Sequence, residues 1–150
     1  QKIEGGKSSI IKDVGKEVKS FDESDHTRKT SKTMFEVWEV FKERLNELEG
    51  VEIVPKKLYI TPMYGNKSIA FLWFQKNKIV IELNRGNIKT DGSKSKNYFV
   101  IDDPKRISTE GSWTYKNGVQ GGIYKIHLDK NSDIEYAMFL VKQKYKNIIN

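Results

Sequence analysis

Few side chains in this sequence are of the types that do acid–base or metal chemistry. The only histidines are His26 and His127, each near an acid, Asp25 and Asp129. A general base needs its partner within hydrogen-bond reach, and both residues read instead as exposed or capping histidines. Asp102 and Asp103 are adjacent carboxylates, which can hold a divalent ion through oxygen ligands. Pro104 follows them and fixes the backbone, so a turn shaped by side-chain to backbone bonds is the better reading. There is no cysteine, which removes disulfides and thiolate metal sites. Glu17-Val18-Lys19 copies the Glu-x-Lys half of a nuclease motif. It lies in a polar stretch with no strand to hold an ion, so it reads as a chance match. Gly111, Gly118, Gly121 and Gly122 lack the spacing and following helix of a phosphate loop. The expectation is a chain with no catalytic residue, no metal site and no cofactor. No constellation meets the geometric requirements of an enzyme.

Charge is the stronger signal. The net charge is +7. Residues 55–106 hold eleven bases against four acids, so this window carries the whole excess and the rest of the chain is neutral. A clustered basic surface attracts polyanions. Ten aromatic residues between Tyr59 and Tyr124 share the predicted sheet region with these bases, among them Phe71, Trp73, Tyr98, Trp113 and Tyr115. Single-stranded nucleic acid uses such rings as stacking platforms. Sheet aromatics are mostly core, so two or three exposed rings are expected at most. Trp113 and Tyr115, in a glycine-flanked loop, are the candidates, although Trp113 also suits a buried anchor. The expected nucleic-acid contacts are Lys56, Lys57, Lys76, Lys78, Arg85, Lys89, Lys94 and Lys96, with Trp113.

The elements that would carry these residues follow from periodicity. Met34, Trp38, Phe41, Leu45 and Leu48 recur at spacings of 4, 3, 4 and 3, one face of a helix. Asp22 or Thr33 is placed to cap its start, and Gly50 to end it. From Val51 the period changes. Short apolar runs separated by turn residues predict a meander, with a tight hairpin at Lys76-Asn77. Residues 85–97 are polar and read as a flexible loop, 98–101 as a short strand, and 123–128 as another strand. Ser132 and Glu135 suggest a capping box. It would open a last helix whose apolar positions are Ile134, Met138, Val141, Tyr145 and Ile148. The predicted fold is α+β: an antiparallel sheet of about five to six strands, with an N-terminal and a C-terminal amphipathic helix on one face.

The composition is that of a globular chain, 37% hydrophobic and 11% aromatic. Residues 1–20 are rich in Gly, Ser and Lys and read as a linker, with a single accessory domain over 21–150. The first residue is Gln1, which suggests a longer natural protein. No apolar run approaches the roughly 20 residues that span a bilayer. With no cysteine, a cytoplasmic location without membrane contact is expected.

Several segments resemble one known family. They are Lys16-Glu17-Val18-Lys19, Glu23-Ser24-Asp25-His26, Lys29-Thr30-Ser31, Pro55-Lys56-Lys57-Leu58-Tyr59-Ile60, Ile101-Asp102-Asp103-Pro104-Lys105, Gly111-Ser112-Trp113 and Asp133-Ile134-Glu135-Tyr136. Their order resembles an uncharacterised C-terminal domain of bacteria and archaea, sometimes called a predicted transport protein. In that family the domain follows an endonuclease domain of the PD-(D/E)XK type, similar to the NucS-type nucleases. The resemblance spans about residues 16–146 and departs from the family pattern at 85–99 and 114–122. It implies a linker, an accessory domain and a nuclease-like domain upstream in the same chain. It supplies no catalytic residues. The expectation is therefore a non-catalytic domain of a nuclease-like protein that contacts DNA or RNA through basic sheet and loop residues. The alternative is a protein-interaction or dimerisation module, possible because sheet edges pair readily.

Overall fold

The computed structural model describes residues 20–150; the linker expected over residues 1–20 and the Glu17-Val18-Lys19 match lie almost wholly outside them. A one-turn helix α1 (Ser24–Thr27) leads to α2 (Lys32–Asn46). Six strands and a two-residue arm follow: β1 (Val51–Pro55), β2 (Ile60–Tyr64), β3 (Lys67–Ser68), β4 (Phe71–Phe74), β5 (Ile79–Asn84), β6 (Thr109–Thr114) and β7 (Gln120–Leu128). The chain closes with α3 (Ile134–Ile149). The sheet is antiparallel in the order β1-β2-β4-β5-β7-β6, with β3 on β2. The α+β architecture matches the sequence pattern; the small arm β3 brings the strands to seven.

Helices α2 and α3 lie on one face of the sheet. Trp38, Phe41 and Leu45 of α2 are wholly buried, as are Leu140 and Val141 of α3. Opposite them the strands contribute Leu72, Ile79, Ile81, Leu83, Ile126 and Leu128, also wholly buried. In β5, Ile79, Ile81 and Leu83 alternate with Val80 and Glu82, so one side of the strand enters this core. The other sheet face has no helix over it among the described residues. It carries half-buried Tyr59, Phe71 and Trp73, packed edge on or tilted at 5.0–5.3 Å.

Both helix caps differ from expectation: by two residues from Thr33 and nine from Asp22 at α2, and by one from Ser132 at α3. Ser31, not Asp22 or Thr33, caps α2: its side chain accepts from the Met34 N–H. Asp133 caps α3 by accepting from the Tyr136 N–H. Ser132 instead accepts from the Asp129 N–H at 2.8 Å. Helix α2 ends at Asn46, before Gly50. Gly50 has φ +79° and turns the chain into β1.

The connection between β5 and β6 is the least regular part. Residues 98–101 form no strand. Phe99 is buried, its N–H donates to the Arg85 carbonyl at 2.7 Å, and Val100 points outward. Asp103 shapes the next turn, as its neighbour Pro104 suggested. Its carboxylate accepts from the Ser108 N–H and hydroxyl and from the Tyr136 hydroxyl. Burial pushes this carboxyl up, but the bonds from Tyr136, Ser108 and the Ile107 backbone outweigh it and hold the pKa at about 2. The unfolded value is about 3.9. A depressed folded value adds stability that is full above about pH 4 and fades as pH falls toward 2. In thermal melts from pH 5 to 2, Asp103→Asn should flatten the acid decline. An unchanged slope in the variant would show that the turn carries none of it.

Candidate nucleic-acid interface

The predicted basic residues separate into two clusters at opposite ends of the sheet, with Arg85 apart from both. Lys56 and Lys57 are exposed in the β1–β2 connection, and Lys76 is exposed in the β4–β5 turn. That turn is the tight hairpin expected at Lys76-Asn77: the Gln75 N–H donates to the Lys78 carbonyl at 2.9 Å. Lys78 is half-buried, with Nζ 3.3 Å from His127 Nδ1 on the open sheet face. Two bonds fix this end. The Ser31 N–H donates to the Lys76 carbonyl at 2.8 Å. His26 Nε2 lies 2.6 Å from the Lys56 carbonyl, so this nitrogen carries the proton and donates. His26 is thus a buried structural residue, 1% exposed, not the exposed or capping one expected. Neither histidine bonds its neighbouring acid.

The N-terminus of α2 opens at the same end. Ser31, Thr33, Met34, Asn77, Asp129, Lys130 and Asn131 line an open recess of about 490 Å³ there, one carboxylate beside one ammonium. A helix start carries roughly half a positive charge, which adds to the field of the lysines. Lys130 was missed in the sequence because it lies outside the 55–106 window; only the fold brings it to the recess that Asn77 also lines.

Lys89, Lys94 and Lys96 form the second cluster and are all exposed. The 85–97 loop is ordered by the strand beside it. The Ile88 N–H donates to the Gln120 carbonyl at 2.8 Å, and the Gln120 N–H returns a bond at 2.9 Å. This ties the lysines to the β6–β7 hairpin, whose turn carries Lys116. Lys94 Nζ stands 5.2 Å over the Tyr98 ring, a cation–π contact. The clusters are separated by the length of β5, on the order of 20 Å at about 3.3 Å per residue.

Arg85 corrects the sequence reading. It is 6% exposed, pairs with Glu110 at 3.0 Å and stacks over Tyr98 at 5.5 Å. It is not an exposed phosphate contact. Its guanidinium lies across Gly122, where an added Cβ would run into it. The signal was the Gly121-Gly122 pair, two positions without side chains on a strand flanked by partners.

Trp113 is also repositioned. It lies on β6, not in a loop, and is 41% exposed rather than a buried anchor. Its indole covers Gly121. Tyr115, 47% exposed, meets it edge on at 6.2 Å.

The acids that form ion pairs among the described residues take other bases. Glu23 and Glu39 take Lys42, Glu135 takes Arg44, Glu110 takes Arg85, Asp133 takes Lys105 and Glu82 takes Lys125. Among the described residues, Lys56, Lys57, Lys76, Lys78, Lys89, Lys94 and Lys96 make no ion pair. One further base is hidden. Lys144 is 8% exposed, with Nζ 5.3 Å from the Phe99 ring, and burial lowers its pKa. No group of three or more potential metal ligands occurs among the described residues. None of their helices is long and apolar enough to cross a membrane.

No protein-family model matches this chain, and no solved structure does. It is similar to an uncharacterized protein of Haemophilus influenzae, 31% identical over 133 residues. The match covers 88% of this chain and 39% of that protein, so the chain spans about two fifths of its relative's length.

Proposed function

We propose that this chain is a non-catalytic accessory domain of a longer, nuclease-like cytoplasmic protein, and that it contacts nucleic acid through its two lysine clusters. The observation that carries the reading is the set of seven lysines that form no ion pair among the described residues and gather at the two ends of one sheet. Cations left free of carboxylates can neutralise phosphates and release their counterions. Such contacts position a strand without reading its sequence, so base selectivity is weak. The nuclease-like context rests on the family resemblance, and a relative more than twice as long as the matched region is consistent with it.

The test is fluorescence anisotropy of the chain with labelled DNA and RNA at about 50 and 200 mM salt, a range over which phosphate-driven binding falls steeply. The expected result is binding that weakens sharply at the higher salt. Absence of binding at the lower salt overturns the reading and assigns the charge to solubility.

A second reading has its own observation. Strand β6 is a sheet edge, and its residues are exposed apart from Gly111. Free edges pair with other chains. Sedimentation showing a stable dimer that hides the lysines would favour self-association over nucleic acid.

A further inference from the structure

Resting on the nucleic-acid reading above, we propose that the β6–β7 hairpin selects single-stranded nucleic acid by stacking a base on Trp113. Three observations meet there. The first is the posture of the indole. Trp113 faces Gly121 across the β6–β7 ladder, and an added Cβ at Gly121 would stand 2.5 Å from the indole ring. The ring therefore lies against bare backbone, with one π-face on the strand and the other toward solvent. A side chain at position 121 would lift it.

The second observation is the companion ring. Tyr115 stands perpendicular to the indole, at 85°. Even with this neighbour 6.2 Å away between centroids, Trp113 stays 41% exposed. The third is charge. The turn carries exposed Lys116. The loop bearing Lys89 is strapped to the same hairpin through Ile88 and Gln120, and Thr90 reaches the turn at Gly118. Phosphates flanking a stacked base would meet these cations.

The combination discriminates between strand types. In a duplex the base faces are already stacked on one another, and only groove edges and phosphates are presented. An exposed ring gains nothing from such a surface. A single strand offers free base faces, and each stacked base contributes substantially, whatever its identity. Strands are therefore distinguished by the ring, while the lysines bind either form.

The decisive experiment compares a 12-nucleotide single strand with a duplex of the same length, for the unmodified chain, Trp113→Ala and Trp113→Phe. The single strand is expected to bind several-fold more tightly than the duplex. Trp113→Ala should weaken single-strand binding roughly tenfold, the scale of one lost stacking contact, with duplex binding unchanged. Trp113→Phe should retain most of the affinity. Circular dichroism of each variant establishes that the sheet is intact. Equal loss for both strand types, or no loss for either, overturns this inference and leaves the lysine reading standing. Absence of binding to both strand types by the unmodified chain overturns both. Loss of a dimer in Trp113→Ala, with strand binding unaltered, assigns the ring to protein contact and overturns the stacking role.

Discussion

Trp38→Ala should destabilise the domain by about 3–5 kcal/mol, the usual cost of truncating a large buried aromatic residue. Domains of this size are stable by only about 5–15 kcal/mol, so the variant should melt far below the parent and can be partly unfolded at 37 °C. The prediction follows from position. Trp38 is wholly buried at the centre of the α2 stripe and meets Phe74 edge on at 4.9 Å. Its Nε1–H donates to Glu23 at 2.9 Å, and Glu23 also takes Lys42 at 3.0 Å. One side chain thus joins α2 to the sheet and to the segment before α1. Trp38→Phe separates these roles. It keeps a ring against Phe74 and deletes the N–H, while Glu23 keeps Lys42. Its cost should be clearly smaller. Urea denaturation of both variants checks this, and equal losses would place the effect in the hydrogen bond rather than in packing.

Reversing two charges at the first lysine cluster should have the largest effect on ligand binding. Lys76→Glu with Lys78→Glu is expected to weaken nucleic-acid binding more than tenfold at about 50 mM salt. Each lost phosphate contact also flattens the salt slope by about 1, so the double variant should lose about 2. The fold should tolerate the change. The Lys76 side chain is exposed, and its structural bond to Ser31 uses the backbone carbonyl. A glutamate at 78 would still face His127. The matching control reverses Lys89 and Lys94 at the other end of the sheet. A loss confined to one pair would locate the strand on that end. Full affinity in both double variants sinks the phosphate-contact assignment.

The helices were the most legible elements, because burial on one face repeats every 3.6 residues and Met34, Trp38, Phe41 and Leu45 all obey it. The Lys76-Asn77 hairpin was equally plain. Caps were harder, since Ser31 and Thr33 or Asp133 and Ser132 are chemically similar and differ only in backbone angle. Strand β6 was obscured because Thr-Glu-Gly-Ser-Trp-Thr has little apolar alternation; an edge strand exposed on both sides needs none. Residues 98–101 are a short apolar run like a strand, yet Phe99 is buried by packing on Tyr124 and by proximity to Lys144 rather than by a ladder. The site was readable as a charge excess but not as a shape. Position along the chain placed Arg85 with the exposed lysines, whereas a guanidinium above a glycine is a property of two segments together. Division of the lysines into two ends, and the arrival of Lys130 and Lys116 at those ends, likewise depend on how distant segments meet.

The crossing from β5 to β7 also dictates when the sheet can be completed. Asn84 pairs with Ile123 and Ile79 with Leu128, whereas Phe74 pairs with Ile79 across a two-residue turn. Closing a chain of about 40 residues costs roughly 2 kcal/mol more in entropy than closing one of about 5, since each doubling adds about 0.6 kcal/mol. The β1–β5 meander and the β6–β7 hairpin can each form from local contacts, and docking the two halves along β5 is the step that waits. Until that step the inner edges of both halves stand open, with the core residues Ile81 and Ile126 unpartnered. Pulse-labelled amide exchange during refolding should therefore protect β4 before the β5–β7 ladder, and this interval is when the chain is most prone to pair with copies of itself.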